Sequence, residues 1–192
     1  MSSRMASALA VLLLALGGWQ FGEAIWIHGK ALLAQSLIHR AWADTRSGHT
    51  RVRPWSWADT WPVARLAVPR LAIDQIVLAG SSGRTLAFGP GHMDGTARPL
   101  SDGLTVLTGH RDTHFSFLRA LKPGDMIDLT DGQGVSRRYR TAETRIVDSR
   151  QEGLADDRNG ARLALVTCYP FDAVRPGGPL RFLVLADAID AR

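Results

Sequence analysis

The sequence contains a single cysteine, Cys168, among its 192 residues. One cysteine cannot form a disulfide within the chain, so a framework of internal bridges is excluded. Lysine is scarce as well, because only Lys30 and Lys122 stand among 23 basic residues. From Arg51 onward, 19 basic and 16 acidic residues are interspersed, which leaves a net charge of +3. A small excess without blocks of like charge argues against a nucleic-acid-binding protein.

Uncharged apolar runs are short throughout the chain, except near its N-terminus. Residues 5–22 carry no charge, and their clearly polar side chains are Ser7 and Gln20. In a helix these 18 residues would span about 27 Å, close to a hydrocarbon core of about 30 Å. Aromatic side chains, among them Trp19, follow at the end that would meet the headgroups. Because no small-x-small cleavage site follows, we predict an uncleaved transmembrane signal anchor rather than a cleaved signal peptide.

The rest of the chain divides by composition into a connecting segment and one globular domain. Residues 1–4 form a short tail before the anchor. Residues 23–54 combine a helical spacing of apolar residues with a polar, basic end, which predicts an amphipathic stalk and a linker. Residues 55–192, about 140 in number, match the size of one ordinary domain with its own core.

Within this domain the pattern is one of short strands. The predicted strands are 63–68, 73–79, 104–108, 126–129, 135–140, 144–147, 163–167 and 182–186. They are rich in Val, Ile, Leu and Thr and are bounded by Gly, Pro, Asp or Ser. Residues 113–121 have helical spacing and are followed by the stop signal Lys122-Pro-Gly-Asp125. Many short strands with one or two helical turns predict a mainly β fold, a closed or partly open barrel behind the N-terminal transmembrane helix.

Three tryptophans open the predicted domain, at Trp55, Trp57 and Trp61. We expect them to pack at one end of the barrel. The alternative is an exposed aromatic patch that faces the membrane or a substrate. Such a patch would suit a non-catalytic binding module of the cell envelope, which remains an alternative function at this point.

Three reactive side chains stand at the ends of separate predicted strands. Cys168 ends the run 163–168, His110 ends the run 104–110, and Arg181 opens the last apolar run. A residue at a strand end is held firmly and still reaches the surface, where a nucleophile must be. A thiolate can attack a carbonyl, an imidazole can move the protons, and a guanidinium can bind the oxyanion. The pattern therefore predicts acyl transfer, although three scattered residues do not form a specific motif.

The histidine segment also permits a different chemistry. His110, Asp112 and His114 alternate as they would on one face of a strand, and two imidazoles with a carboxylate could hold a catalytic zinc. His92 is a candidate for a further ligand. In the helical zinc motif the glutamate position would fall on Arg111, which cannot act as a base. A zinc-dependent hydrolase is therefore the second alternative function.

The residues around the three strand ends resemble the sortases, a family of membrane-anchored cysteine transpeptidases. The segment Ala164-Leu-Val-Thr-Cys168 is similar to the family's Thr-Leu-x-Thr-Cys, with alanine in place of the first threonine. Thr108-Gly-His110-Arg-Asp112 is similar to its histidine segment, and Pro179-Leu-Arg181-Phe to its arginine strand. The resemblance covers residues 61–187, and the tryptophan-rich entry to the domain looks like the sortases of Gram-negative bacteria.

The resemblance implies an eight-stranded sortase barrel with Cys168, His110 and Arg181 as the catalytic residues. It favours Arg181 over Arg175, which lies in the loop after the cysteine. The implied reaction cleaves a C-terminal sorting signal of the Leu-Pro-x-Thr-Gly type through a thioester and transfers the protein to an amine acceptor. Its implied partners are a substrate protein that bears such a signal, the amine acceptor and membrane lipid around the anchor, with no nucleic acid and no cofactor or metal.

The same resemblance places the protein in the inner (cytoplasmic) membrane as a single-pass protein, with residues 55–192 as the catalytic domain in the periplasm. Arg111, Asp112 and Thr167 flank the predicted catalytic residues and are candidates for substrate binding. A salt bridge or turn cap is the alternative for Arg111 and Asp112. Packing within the strand is the alternative for Thr167.

Overall fold

The computed structural model describes residues 3–151, 153, 160–174 and 177–189. The chain forms two compact units, Met1–Leu37 and Ile38–Arg192. Helix α1, Ser3–Arg46, begins in the first unit and ends in the second. The helix ends at Arg46, so it continues into the polar, basic end of the predicted segment 23–54. The predicted division of the chain at residues 4, 22 and 54 stays a prediction.

The first unit consists of the N-terminal part of α1. Its large apolar side chains from Leu12 to Leu33 are exposed. The side chains of residues 5–11, the first part of the predicted anchor, lie outside the described residues. Over the part of the chain that is described, no helix has both the length and the apolar character to cross a membrane.

The second unit contains a closed barrel of eight strands. The strands are β1 Pro62–Val68, β2 Ile73–Ala79, β3 Gly91–His92, β4 Gly103–Thr108, β5 Met126–Thr130, β6 Ser136–Asp148, β7 Ala161–Cys168 and β8 Leu180–Ala188. Their order around the barrel is β1-β2-β3-β4-β7-β8-β6-β5, and β5 pairs with β1 to close it. The predicted mainly β, closed eight-stranded fold is confirmed. Most neighbours are antiparallel, whereas β2–β3 and β4–β7 run parallel.

The barrel closes around side chains that alternate along each strand. In β1 every second residue is buried, as Ala64, Leu66 and Val68 point inward. Leu163 and Leu165 of β7 do the same. A strand places successive side chains on opposite faces, so this period of two defines an inner and an outer face. Fully burying such an aliphatic side chain contributes about 1.5–3 kcal/mol, which makes the interior the main stabilising element.

The outer face of β2 carries a second apolar cluster. Ile76 and Leu78 are buried there against Ile38 and Trp42 of α1. Trp55 packs on this cluster and meets the Phe88 ring edge-on, with 4.9 Å between ring centroids. The C-terminal part of α1 therefore belongs to the core of the second unit.

The three tryptophans do not share one environment. Trp55 is half-buried, Trp57 is 83% exposed, and the Trp61 ring lies 5.4 Å from the Arg51 guanidinium carbon. The expected packing is confirmed for Trp55. The three tryptophans do not form one continuous aromatic patch.

Two predicted strands and the predicted helix differ from the structure. Segments 135–140 and 144–147 belong, apart from Val135, to one long strand, β6, whose pairing with β8 shifts register between Thr141 and Glu143. The helix expected over 113–121 is only a 3₁₀ turn over Ser116–Ala120, and it ends at Leu121, whose backbone is extended. A second 3₁₀ turn over Pro69–Leu71 and the short helix α2, Gly83–Leu86, complete the helical segments of the described barrel unit.

Candidate active site

Cys168 is the last residue of β7 and lies on the outer face of the barrel. Leu165 and Thr167 point inward, so the alternation along β7 places Val166 and Cys168 outward. The thiol is free and half-buried. A rigid strand thus carries the sulfur to the surface at one end of the barrel.

Arg181 lies directly opposite Cys168 in the antiparallel pairing of β7 with β8. Its Nη1 donates hydrogen bonds to the carbonyl oxygens of Gly178, at 2.7 Å, and Leu180, at 2.9 Å. These two bonds hold one edge of the guanidinium against the start of β8. Directly opposite residues in a sheet share a face, so the side chains of Cys168 and Arg181 both leave the sheet on its outer surface.

His110 follows the end of β4, which runs parallel to β7 and ends at the same end of the barrel. The Gly109 amide donates to the Val166 carbonyl at 3.2 Å. The Thr167 hydroxyl donates to the Gly109 carbonyl at 2.7 Å in a buried position. The backbone amide and the backbone carbonyl of Gly109, the residue before the histidine, are therefore bonded to the two residues before the cysteine.

The turn after β4 explains why a glycine precedes the histidine. The His110 carbonyl accepts the Phe115 amide at 2.9 Å, which brings the buried Phe115 ring back under the turn. A Cβ at Gly109 would lie 2.7 Å from the Phe115 ring. Such a contact is too close, so only glycine fits between the strand end and the ring.

A groove of about 480 Å³ lies on the outer face of β4, β7, β8 and the end of β6. Its apolar lining consists of Met93, Ala97, Leu104, Val106, Val147, Val166 and Leu183. Arg181 is the charged residue among the described lining residues, and Cys168 is the next outward position of β7 after Val166. The groove therefore leads along the sheet towards the strand ends that carry the cysteine and the arginine.

The loop between β3 and β4 forms one wall of this groove and is held by His92. The Nε2 atom of His92 lies 2.9 Å from the Ala97 carbonyl oxygen and 3.2 Å from the Thr96 hydroxyl. Thr96 in turn accepts the Val106 amide at 3.3 Å. The sequence suggested His92 only as a possible metal ligand, and nothing in the local pattern indicates this supporting contact.

The predicted substrate-binding residues have different surroundings. Thr167 is 2% exposed, and its hydroxyl binds the Gly109 carbonyl, as the strand-packing alternative expects. Arg111 is buried and donates to two backbone carbonyls of the loop after the cysteine. Asp112 is exposed and accepts from Arg111 at 3.3 Å. Of the three, Asp112 has the side chain that is open to a ligand, and Arg175 lies outside the described residues.

His114 lies close to His110 and is half-buried. Burial, and then the charge of His110, lower the pKa of the His114 imidazole from its ordinary value, while a hydrogen bond to the Ala87 carbonyl acts in the opposite direction. The Gln75 amide also donates to the His114 carbonyl at 2.8 Å. The His110 turn is thus fixed to β2 and to the segment after α2.

The zinc alternative receives no support from these positions. Among the residues that the structure describes, no group of three or more His, Cys, Asp or Glu side chains could hold a metal ion. His92 and His114 both bind backbone carbonyls instead.

Comparison with known proteins decides the family. A family model described as the sortase domain matches residues 66–189, well over half of the chain. The chain belongs to the sortase family. The resemblance of the sequence to the sortases is therefore confirmed, and the barrel described above is a sortase barrel.

Curated relatives and solved structures agree with this assignment. Sortase D of Bacillus subtilis is 31% identical over 120 residues, which cover 62% of this chain and 60% of that protein. Sortase A of Listeria monocytogenes is 30% identical over 110 residues, or 55% of this chain and 49% of that protein. The chain thus spans between about half and three fifths of the curated relatives it matches.

Two solved structures share the fold over most of the chain. Sortase A from Corynebacterium diphtheriae superposes with a TM-score of 0.63 at 24% identity, covering 83% of this chain and 85% of that one. Sortase C-1 from Actinomyces oris gives a TM-score of 0.58 at 24% identity, covering 80% and 98%. At this level of identity the two structures establish the sortase fold of the chain.

Proposed function

We propose that this sortase is a cysteine transpeptidase that cleaves a sorting signal in a substrate protein and joins the protein to an amine. The observation that carries the proposal is the arrangement of three adjacent strand ends. Cys168 lies opposite Arg181, and the residue before His110 is bonded to the residue before Cys168. A thiol, an imidazole and a guanidinium beside one groove can perform acyl transfer.

In the first half-reaction, the Cys168 thiol gives its proton to His110, and the resulting thiolate attacks the scissile carbonyl carbon of the bound signal. The carbonyl becomes a tetrahedral oxyanion, and the carbon–nitrogen bond then breaks. His110 supplies the proton that the departing amine requires. The N-terminal part of the substrate remains on Cys168 as a thioester, and the C-terminal part leaves.

In the second half-reaction, an incoming primary amine attacks the thioester carbonyl. His110 takes a proton from the amine, the carbon–sulfur bond breaks, and the proton returns to the departing thiolate, which regenerates Cys168. The same imidazole thus acts as acid in one half and as base in the other. The product is the substrate protein with a new amide bond at its C-terminus.

Arg181 provides the positive charge beside the reacting carbonyl. Its Nη1 is engaged by the Gly178 and Leu180 carbonyls, which fixes the plane of the guanidinium. The other donors of the planar fork can then point towards the oxyanion or a substrate carbonyl. A preorganised charged donor at this position stabilises the transition state more than the ground state.

The groove favours an apolar stretch before the scissile bond. Seven apolar side chains line it, and Arg181 is the charged group among its described lining residues. A signal of the Leu-Pro-x-Thr-Gly type presents apolar residues first and the scissile Thr-Gly bond last. With the apolar residues in the groove, the threonine carbonyl would reach the strand ends of β7 and β8. Asp112, exposed beside His110, is positioned to contact a polar part of the substrate.

The proposal is tested with the full-length chain in detergent, a peptide that contains Leu-Pro-x-Thr-Gly, and a primary amine. We expect cleavage at the Thr-Gly bond and, with the amine present, a joined product. Cys168→Ala and His110→Ala should lose both, whereas His49→Ala, at an exposed histidine after α1, should keep them. Cleavage that survives Cys168→Ala and stops with a chelator would instead indicate a metal-dependent hydrolase.

We also propose that residues 5–22 anchor the protein in the inner membrane and leave the barrel in the periplasm. The support is the uncharged apolar run and the aromatic residues at its C-terminal end. Fractionation of cells that express the full chain should recover it with the inner membrane, and deletion of residues 5–22 should release it. Recovery of the intact chain in the soluble fraction would contradict the anchor.

A further inference from the structure

Arg111 is a buried charged side chain directly after the proposed catalytic histidine. It is 7% exposed. A buried charge destabilises a protein unless it is fully hydrogen-bonded. Its Nη1 donates to the Pro170 carbonyl at 2.8 Å, its Nη2 donates to the Ala173 carbonyl at 2.6 Å, and its Nε lies 3.3 Å from Asp112 Oδ1. Each nitrogen of the guanidinium therefore has an acceptor.

The two carbonyls belong to the loop that begins immediately after Cys168. The Ala173 amide binds the Pro170 carbonyl at 3.4 Å, so these residues are the two ends of one turn. The guanidinium fork spans this turn, from the Pro170 oxygen to the Ala173 oxygen. One planar group thus joins the segment next to His110 to the segment next to Cys168.

Apolar contacts hold the opposite side of the same turn. The Phe171 ring packs edge-on to Phe182 at 5.2 Å between centroids, and the exposed Arg119 guanidinium lies 5.1 Å from the Phe171 ring. These contacts connect the turn to β8 and to the 3₁₀ turn over Ser116–Ala120, but not to the backbone beside His110. The bonds from Arg111 make that connection.

We propose that Arg111 is a positioning residue that holds the turn 170–173 against the His110 segment and so fixes the spacing between the Cys168 sulfur and the His110 imidazole. The proposal rests on the proposed function, because a fixed spacing matters only if the two groups exchange a proton. It assigns Arg111 a task other than substrate contact. A lysine cannot reproduce it, since one ammonium cannot span two carbonyls as a planar fork does.

The test compares Arg111→Met and Arg111→Lys with Arg138→Met in the full-length chain. Arg138 is a matched control, because it also donates two hydrogen bonds, of 2.7 and 3.0 Å, to Asp128. It is exposed, and it lies on β6 beside the C-terminal end of β8, whereas Arg181 lies at the N-terminal end of β8. For each variant, kcat and KM for peptide cleavage are measured well below the melting temperature. Hydrogen exchange of the 171–173 amides is measured on the same samples.

We expect Arg111→Met to lower kcat about ten- to a hundredfold, the loss that a small misplacement of reacting groups produces. KM should change by less than about twofold, because uniform substrate binding is retained. Exchange in the turn should become faster, Arg111→Lys should be intermediate, and Arg138→Met should match the wild type.

A folded Arg111→Met variant with wild-type kcat would overturn the proposal. The same holds if kcat per folded molecule is unchanged and only the melting temperature falls, since the bonds would then be purely structural. A wild-type chain that cleaves no peptide would contradict the proposed function instead. In that case the hydrogen-exchange data test the role of Arg111. Unchanged exchange of the 171–173 amides in Arg111→Met would overturn the proposal that Arg111 holds this turn.

Discussion

Cys168 and Arg181 are direct cross-strand partners at the end of the antiparallel pair β7–β8. Because partners in a ladder point to the same face, the pairing itself places both side chains on the outer face of the barrel. No loop conformation is needed to place them. The third group, His110, depends on the turn that follows β4, and the hydrogen bonds around Gly109 and Thr167 attach that turn to β7.

Replacing Arg181 by lysine should reduce transpeptidation severely. The guanidinium uses Nη1 to hold itself against two carbonyls and keeps other donors for the substrate, and an ammonium cannot do both. Loss of one oxyanion donor costs on the order of a hundredfold or more in kcat. Steady-state kinetics of Arg181→Lys beside Arg138→Lys will measure this. Equal rates for the two variants would show that Arg181 has no such role.

Replacing Thr167 by valine should lower both stability and activity. The change leaves the buried Gly109 carbonyl without its hydroxyl donor, at a cost of about 1–3 kcal/mol. It also frees the peptide next to His110. Chemical denaturation gives the free energy of unfolding, and peptide cleavage gives kcat. Thr130→Val, at an exposed Thr–Ser hydrogen bond, is the matched control and should change neither quantity noticeably.

Replacing Gly109 by alanine should disturb the histidine through a steric contact. The added Cβ would lie 2.7 Å from the Phe115 ring, which is fully buried in the core. Overpacking of this kind costs about 1–3 kcal/mol, and the turn carrying His110 must move to relieve it. Gly83→Ala adds a methyl group with no atom within 4 Å and is the control. If Gly109→Ala has the same free energy of unfolding and the same rate of peptide cleavage as Gly83→Ala, the packing described for this turn is wrong.

Replacing His114 by glutamine should make the free energy of unfolding fall less as the pH is lowered into mild acid. The pKa of His114 in the folded protein lies below its ordinary value of 6.5. The unfolded chain therefore binds a proton here more readily than the folded chain, and stability falls as the pH drops below about 6.5. Glutamine has no such titration and can still donate to the Ala87 carbonyl. The free energy of unfolding of the wild type minus that of His114→Gln should therefore decrease as the pH falls through this range, and a difference that stays constant with pH would contradict the assignment.

Much of the barrel could be predicted because its strands alternate or end at clear turn residues. The segment 73–79 coincides with β2. The sequence does not predict strand β3, because its two residues, Gly91–His92, show no periodicity and are defined by their partners. Strand β6 looked like two strands because an irregularity in pairing near Thr141 interrupts its pattern. In both strands, the pairing with distant segments of the chain, and not the local sequence preference, determines where the strand begins and ends.

The positions of the three candidate catalytic residues at strand ends could be predicted for a similar reason, whereas the contacts that support them could not. Cys168, His110 and Arg181 stand at strand ends that the sequence marks. Arg111, by contrast, bonds carbonyls 59 and 62 residues away in the chain. Every residue has a backbone carbonyl, so the sequence does not show which carbonyls an arginine will bind. It therefore cannot distinguish a buried arginine that binds a turn from an arginine in an exposed salt bridge.

The most direct test of the central claim is the intact mass of the full-length chain after brief reaction with a Leu-Pro-x-Thr-Gly peptide in the absence of an amine. We expect a thioester adduct equal to the peptide up to its threonine, mapped by fragmentation to Cys168 and released by an added amine. We also expect no adduct on Cys168→Ala. An adduct on another residue, or cleavage of the peptide by the Cys168→Ala variant, would contradict the central claim.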